Sequence, residues 1–251
     1  MPPPLELHAP RSRPAALASL RDVGFAVVAP DALASVAELP RDSFVGLERS
    51  WASLPPDPHL LDGGAYRFRR HGCFVQQLVG ASDLSSTPPR PHYQPVTYNA
   101  LHGGIVRWFA PLESTLAEAP GFVRLVAGLG RAFADARADV RPTRWHVEAH
   151  AFRIDPREGV GRPTPEGAHR DGVDFVAVVL VDRRGVRGGE TRVFDAAGPH
   201  GVRFSLVAPW SALLLDDARV VHETTPIVLE EPGGHRDTLV LTYREAGFQE
   251  P

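Results

Sequence analysis

The stretch His169-Arg170-Asp171-Gly172-Val173-Asp174-Phe175-Val176-Ala177-Val178-Val179-Leu180-Val181 decides the fold class. Its second half, residues 175–181, is the longest unbroken apolar run in the chain, seven residues closed by Asp182. That is far too short for a membrane span, and its β-branched content reads as a buried strand. Beyond it, residues 183–189 read as a turn, and residues 190–194, 203–207, 212–215, 220–223 and 238–243 read as short strands with turn residues between them. Before it, residues 143–154 contain few breakers and read as another strand. Closely spaced short strands indicate a sandwich or jelly roll rather than βαβ units.

Further upstream the pattern changes. Residues 15–20 are helical in composition, residues 24–28 form a short apolar strand, and Pro30-Asp31 opens a second helix. Pro-rich loops follow at 55–64 and 85–95. After the Pro120-Gly121 break, Phe122, Leu125, Val126, Leu129 and Phe133 fall on one face of an amphipathic helix. The expected architecture is mainly β with flanking helices. Residues 1–141 form a helix-rich support bracing a jelly-roll core at 142–244, within one domain spanning 1–251.

Composition excludes several chemistries. All 27 basic residues of the 251 are arginine, so Schiff-base, pyridoxal phosphate and P-loop lysines are absent. One cysteine, Cys73, allows no intrachain disulfide and no multi-cysteine zinc site; it reads as a small buried apolar residue. A net charge of -3 gives no reason to expect a nucleic-acid partner. The opening Met1-Pro2-Pro3-Pro4 reaches Arg11 without an apolar core, unlike a signal peptide, so the expectation is a soluble cytoplasmic protein with no membrane partner.

Eleven histidines raise the question of a metal. On a strand, residues i and i+2 share a face, so a His-x-Asp pair can chelate one ion from one side. With 11 His and 16 Asp in 251 positions, chance supplies 11 × 16/251, about 0.7 such pairs; the chain has His169/Asp171 and His235/Asp237, with His146/Glu148 as a variant. His235 has no later histidine to complete a set. His146 and Glu148 would need His200, which sits in the turn Ala196-Ala197-Gly198-Pro199-His200-Gly201. His169 and Asp171 have His222, at the end of a later strand. Two imidazoles and one carboxylate on one octahedral face leave three positions open, the arrangement of non-haem Fe(II) oxygenases. With ferrous iron the site carries +1, which suits a dianion such as 2-oxoglutarate with one position kept for dioxygen; spacing alone also admits Zn or Mn.

At this point a resemblance is visible. Residues 142–244 resemble the iron- and 2-oxoglutarate-dependent dioxygenases, in particular the bacterial branch that includes the isoleucine dioxygenases. The matching stretches are Pro163-Thr164-Pro165-Glu166-Gly167-Ala168-His169-Arg170-Asp171-Gly172, Gly188-Gly189-Glu190-Thr191, Leu213-Leu214-Leu215-Asp216-Asp217, Val221-His222-Glu223-Thr224-Thr225-Pro226 and Arg236-Asp237-Thr238-Leu239-Val240-Leu241-Thr242. Upstream, Tyr98-Asn99-Ala100-Leu101-His102-Gly103-Gly104 with Arg107, and His150-Ala151-Phe152-Arg153, look like the same branch. The resemblance implies a double-stranded β-helix in which His169, Asp171 and His222 bind Fe(II). It implies that Arg236, supported by Thr238, receives the distal carboxylate of 2-oxoglutarate, against the plainer reading of a salt bridge to Asp237 or Glu231. It further implies consumption of 2-oxoglutarate and dioxygen, release of succinate and CO2, and, because Asp171 is present, hydroxylation rather than halogenation.

The substrate side is less defined. The strand 144–153 has one face with His146, Glu148, His150 and Phe152 and another with Trp145, Val147, Ala149, Ala151 and Arg153, and periodicity does not say which lines a pocket. Tyr98, Arg107 and Arg153 are candidates for holding a substrate carboxylate, with Glu148 and His150 as further substrate-side candidates. Asp216-Asp217 could neutralise Arg219 or orient a ligand histidine. A small molecule, foremost a free L-amino acid or derivative, is the expected substrate. A non-catalytic jelly-roll binder of metal or 2-oxoglutarate, and a cupin-like metal-dependent isomerase or hydrolase, remain the alternatives.

Overall fold

The computed structural model describes residues 9–80, 84–99, 101–137 and 139–251, so Met1-Pro2-Pro3-Pro4 and Ala100 lie outside it. Four helices are present, α1 (Arg13–Val23), α2 (Pro30–Val36), α3 (Ser114–Ala117) and α4 (Pro120–Ala136). The strands are β1 (Phe25–Val28), β2 (Arg67–Gln77), β3 (Leu84–Ser86), β4 (Arg144–Ile154), β5 (Val160–Gly161), β6 (Phe175–Arg184), β7 (Val186–Gly188), β8 (Thr191–Asp195), β9 (Gly201–Phe204), β10 (Ala212–Asp216), β11 (Val220–Thr224), β12 (Ile227–Leu229) and β13 (His235–Arg244). They form a seven-stranded sheet in the order β1-β10-β6-β13-β4-β2-β3, and two three-stranded sheets, β11-β8-β9 and β5-β12-β7. This is the expected jelly roll, mainly β with flanking helices.

Each face of the large sheet has its own core. Towards the helices, Trp145, Val147, Ala149 and Ala151 of β4 are fully buried with Phe122, Leu125, Val126, Leu129 and Phe133 of α4. That is the helix face the 3.6-residue period predicts. Phe133 stacks on Phe175 at 4.8 Å, and Trp145 Nε1 and Tyr243 Oη donate to the Gly130 and Val126 carbonyls, both at 2.8 Å. The helix approaches α2 so closely that a Cβ on Gly128 would stand 2.0 Å from the Ala37 carbonyl oxygen, so only glycine fits there. On the opposite face, Val176, Leu180, Leu213 and Leu215 pack against Val193, Val202 and Val220 of the β11-β8-β9 sheet.

Three boundaries differ from the sequence reading. The expected turn 183–189 is a single-residue corner: Gly185, at φ 58°, separates β6 from β7. The expected strand 203–207 lies earlier, as Gly201–Phe204. The N-terminal half supplies β2 and β3 to the large sheet as well as β1, which matches the apolar strand expected at 24–28. β2 was not legible as a strand, since its buried face carries Arg67, Arg69 and His71 while Phe68 and Val75 are only half-buried.

Candidate active site

The register of β13, β4 and β2 sets out the cavity wall. Arg236 lies opposite Ile154, which lies opposite Arg67; Thr238, Phe152 and Arg69 make the next rung; Val240, His150 and His71 the third. Residues i and i+2 of each strand share a face, so all of these side chains project to the side away from α4. The unresolved choice of face on β4 is thereby settled: the His150/Phe152 face looks into the cavity. The cavity measures about 860 Å³ with its mouth included, and Arg236, Thr238, Phe152, His150, Arg69 and Arg107 are among its lining.

His169, Asp171 and His222 border the same cavity. His169 and His222 are partners in an antiparallel bridge, exchanging backbone hydrogen bonds of 3.0 Å each, so the sheet fixes their spacing. Asp171 Oδ1 lies 4.0 Å from His169 Nε2, and Asp171 Oδ2 lies 3.8 Å from His222 Nε2. The ligand atoms of the three residues all lie within 4.8 Å of one another, a group that could hold one metal ion once drawn in to the roughly 2.0–2.2 Å usual for such bonds. The tautomer is right for this: His169 Nδ1 donates to the Gly167 carbonyl at 3.0 Å, leaving the lone pair on Nε2. His222 Nδ1 is buried without a protein partner.

The loop bearing Asp171 is held from beneath. Asp217, fully buried, accepts backbone N–H bonds from Asp171, Gly172 and Val173 at 2.9, 2.8 and 3.1 Å. Gly172 has φ 77°, and a Cβ there would stand 2.5 Å from the Tyr98 ring. Gln94 donates to Asp171 Oδ1 at 3.0 Å, and Gln249 near the C-terminus donates to the Asp171 and Gly172 carbonyls at 3.1 and 2.8 Å. Asp217 thus orients the backbone of the Asp171 loop rather than a histidine, while Arg219 bonds the Leu20 and Asp22 carbonyls. Asp217→Ala is expected to weaken metal affinity by about 10- to 100-fold. Competition against a calibrated chelator checks this, and unchanged affinity would show that the cradle does not matter.

Arg236 is 3 % exposed, and its Nε and Nη2 atoms are buried without partners. Burial, together with nearby Arg183, pulls its guanidinium down to about 10, so it stays charged at neutral pH. The plainer reading as a salt bridge to Asp237 does not hold, because Asp237 takes a two-pronged bond from Arg153 at 2.8 and 2.7 Å. A buried guanidinium with two free donor nitrogens beside a hydroxyl suits a carboxylate.

Among the substrate-side candidates, Arg107 and His150 line the cavity, while Tyr98, Glu148 and Arg153 do not. Arg153 is committed to Asp237, and the Tyr98 ring packs at Gly172 with the Arg170 guanidinium 5.8 Å from its centroid. Glu148 sits behind the wall, accepting from His71 Nε2 at 2.8 Å and His92 Nδ1 at 2.7 Å. His146 stays apart, against Phe248. His71, His92, Arg69, Arg67 and Glu166 were not singled out in the sequence. Nor was Asp182, which β6 brings to the His235/Asp237 pair to complete a cluster of three.

A family model described as 2OG-Fe dioxygenase matches residues 48–242, most of the chain. The protein is a member of the 2OG-Fe dioxygenase family. The dioxygenase is therefore an Fe(II)- and 2-oxoglutarate-dependent oxygenase using dioxygen, and the binder and isomerase alternatives fall away. A bsmA homolog from Methylobium petroleophilum is 55% identical over 98% of this chain and 100% of that one, with a TM-score of 0.91. IDO from Bacillus thuringiensis shares 17% identity over 95% and 100% of the two chains at a TM-score of 0.75. The Fe(II)/(alpha)ketoglutarate-dependent dioxygenase TqaL shares 18% over 91% and 85% at 0.68, and these last two likenesses speak for the fold alone. No curated protein matches the chain. Among the described residues no helix is long and apolar enough to cross a membrane.

Proposed function

We propose that the dioxygenase hydroxylates a C–H bond of a free L-amino acid or close derivative. In this reading His169, Asp171 and His222 hold the iron, and Arg236 with Thr238 receives the distal carboxylate of 2-oxoglutarate. Iron and 2-oxoglutarate together supply the activation of dioxygen; the chain's own residues bind, orient and exclude water. Val178, Val240 and Phe152, which line the cavity beside Thr238, keep the reacting region apolar.

The observation that carries the substrate class is a pair of opposite, only partly satisfied charges on the remaining wall. Arg107 is buried with its Nε unpartnered, and among the described residues its side chain bonds only from Nη2 to Gln94 Oε1, at 3.1 Å. Glu166 is 90 % buried by side chain, and its Oε2 is buried without a hydrogen bond among the described residues, with His102 Nδ1 4.0 Å away. A carboxylate on Arg107 and an ammonium on Glu166 would satisfy both, and an unpaired buried charge is costly enough to make that demand selective. Charge balance agrees: Arg67, Arg69 and Arg107 are matched by Asp57, Glu148 and Glu166, so a zwitterion fits better than a dianion. Glu166 Oε1 lies 3.6 Å from His169 Nε2, which would bring the amino group beside the metal position.

The test is a panel of the twenty L-amino acids with Fe(II), 2-oxoglutarate and air, read by succinate release and by mass spectrometry for a +16 Da product. At least one amino acid is expected to give product and succinate in equal amounts, and none without oxygen. Turnover under nitrogen, or succinate released only with non-amino-acid substrates, would reject the reading.

A further inference from the structure

Behind the substrate end of the cavity, Arg69, His71, His92, Glu148 and His150 form a buried network that the roles above do not use. Ligand-type atoms of His71, His92, Glu148 and His150 all lie within 4.8 Å of one another, which suggests a second metal site. The protons argue against it. A guanidinium only donates, so the 2.7 Å contact from Arg69 Nη2 to His150 Nδ1 puts the His150 lone pair on Nδ1 and its proton on Nε2. A carboxylate only accepts, so the 2.8 and 2.7 Å contacts to Glu148 Oε2 put protons on His71 Nε2 and His92 Nδ1. The nitrogens that would have to bind a metal are occupied by hydrogens.

The same assignment fixes what the cavity sees. His92 and His150 both line it, with ring centroids 4.7 Å apart and planes at 77°. His92 Nε2 carries a lone pair and makes no hydrogen bond among the described residues; His150 Nε2 carries a proton, and at 3.7 Å from Glu148 Oε2 it is too far to hydrogen-bond there. Burial drives both imidazoles below the ordinary histidine value, His150 far below it, which keeps them neutral. Arg69, held between the Phe109 and Phe152 rings at 3.6 and 4.4 Å, cannot swing away and release the tautomer.

We propose that His92 and His150 form an acceptor–donor pair that reads a neutral group able both to donate and to accept, a hydroxyl or primary carboxamide on the substrate. A carboxylate would set its lone pairs against that of His92, and an ammonium would face the His150 N–H and the Arg69 charge. Placed as it is beside Arg107, the pair selects the side chain or tail of the molecule whose charged ends Arg107 and Glu166 hold. This inference rests on the amino-acid reading for its substrate and on the tautomers alone for its chemistry.

Two measurements test it separately. In succinate release by the iron-loaded enzyme, asparagine is compared with its isosteres leucine and aspartate, glutamine with glutamate, and threonine with valine. A donor–acceptor substrate is expected to lead its isosteres by about 10- to 100-fold in kcat/KM, and His92→Phe to bring them within a few-fold. A lead for leucine, valine or an acidic member overturns the proposal. If no amino acid turns over, the amino-acid reading fails, and the pair is judged by the second measurement. There, nitrogen-15 NMR of histidine-labelled protein loaded with Zn(II) and 2-oxoglutarate is expected to place the proton on Nδ1 of His92 and Nε2 of His150 from pH 6 to 8. The opposite tautomers, or a second bound zinc that His92→Phe removes, would overturn it.

Discussion

His222→Ala protein is expected to lose at least about 100-fold in iron affinity and to release no measurable succinate. That factor is the upper end of what removing a mere support of a ligand costs, so losing the ligand itself should cost no less. The backbone of His222 is tied to His169 across an antiparallel bridge, and its side chain is 8 % exposed. Alanine therefore leaves the strand in place, and only His169 and Asp171 remain to face the ion. A folding defect is separable from a binding defect by thermal denaturation. A ligand at about a hundred times its Kd stabilises the parent by about 2.7 kcal/mol, and that increment should vanish in the variant while the metal-free melting point stays near the parent's. Two controls sharpen the result. His200→Ala should be nearly silent, because His200 lies in the turn between β8 and β9. His235→Ala removes the only imidazole of the Asp182–His235–Asp237 cluster, where Arg153 already occupies Asp237, and should leave iron content unchanged. Near-normal iron and turnover in His222→Ala would sink the assignment.

What the sequence disclosed follows from how each element earns its burial. β6 is apolar on both faces, and α4 puts its large side chains on one stripe, so period and composition pointed the right way. β2 is the counterexample. It is the strand next to the edge of the large sheet, with arginine and histidine on its inward face, so the alternation that marks a strand reads as a polar segment. The same inversion hid Arg67, Arg69 and His71. A polar side chain buried by function is indistinguishable in sequence from one exposed to water. The grouping of His169, Asp171 and His222 was legible because an i, i+2 pair and a strand-end histidine depend on local parity plus one long-range contact. The Asp182–His235–Asp237 cluster needed β6 and β13 to be neighbours, and Arg153's bond to Asp237 needed β4 beside β13. Pairing order of that kind is a property of the sheet, and a single strand does not carry it. Tyr98 and Arg153 looked like substrate residues for their chemistry; their surroundings commit them elsewhere.

Arg236→Gln is the second large effect, and its signature differs from that of His222→Ala. The parent guanidinium is buried with Nε and Nη2 unpartnered, and Asp237 on the alternate face is taken by Arg153, so among the described residues no carboxylate forms a salt bridge with it. A carboxylate docking there gains two parallel charge-assisted bonds, which glutamine cannot reproduce. Removing one partner of a buried charged pair costs about 3–5 kcal/mol. Water entering the mouth of the cavity lowers that, giving roughly 2–4 kcal/mol, or about 30- to 1000-fold in kcat/KM for 2-oxoglutarate. Arg236→Lys should recover only part of the loss, because an ammonium keeps the charge without the planar fork. Iron content should match the parent, since His169, Asp171 and His222 are untouched. Arg244 shares the strand parity of Arg236 but lies eight residues on, roughly 26 Å at about 3.3 Å per residue. Its Nη1 bonds the Gly247 carbonyl at 2.9 Å, so Arg244→Gln should leave 2-oxoglutarate use within a few-fold of the parent. Titrating 2-oxoglutarate against both variants decides the matter: an unchanged KM in Arg236→Gln with a large loss in Arg244→Gln would move the co-substrate to the other end of β13.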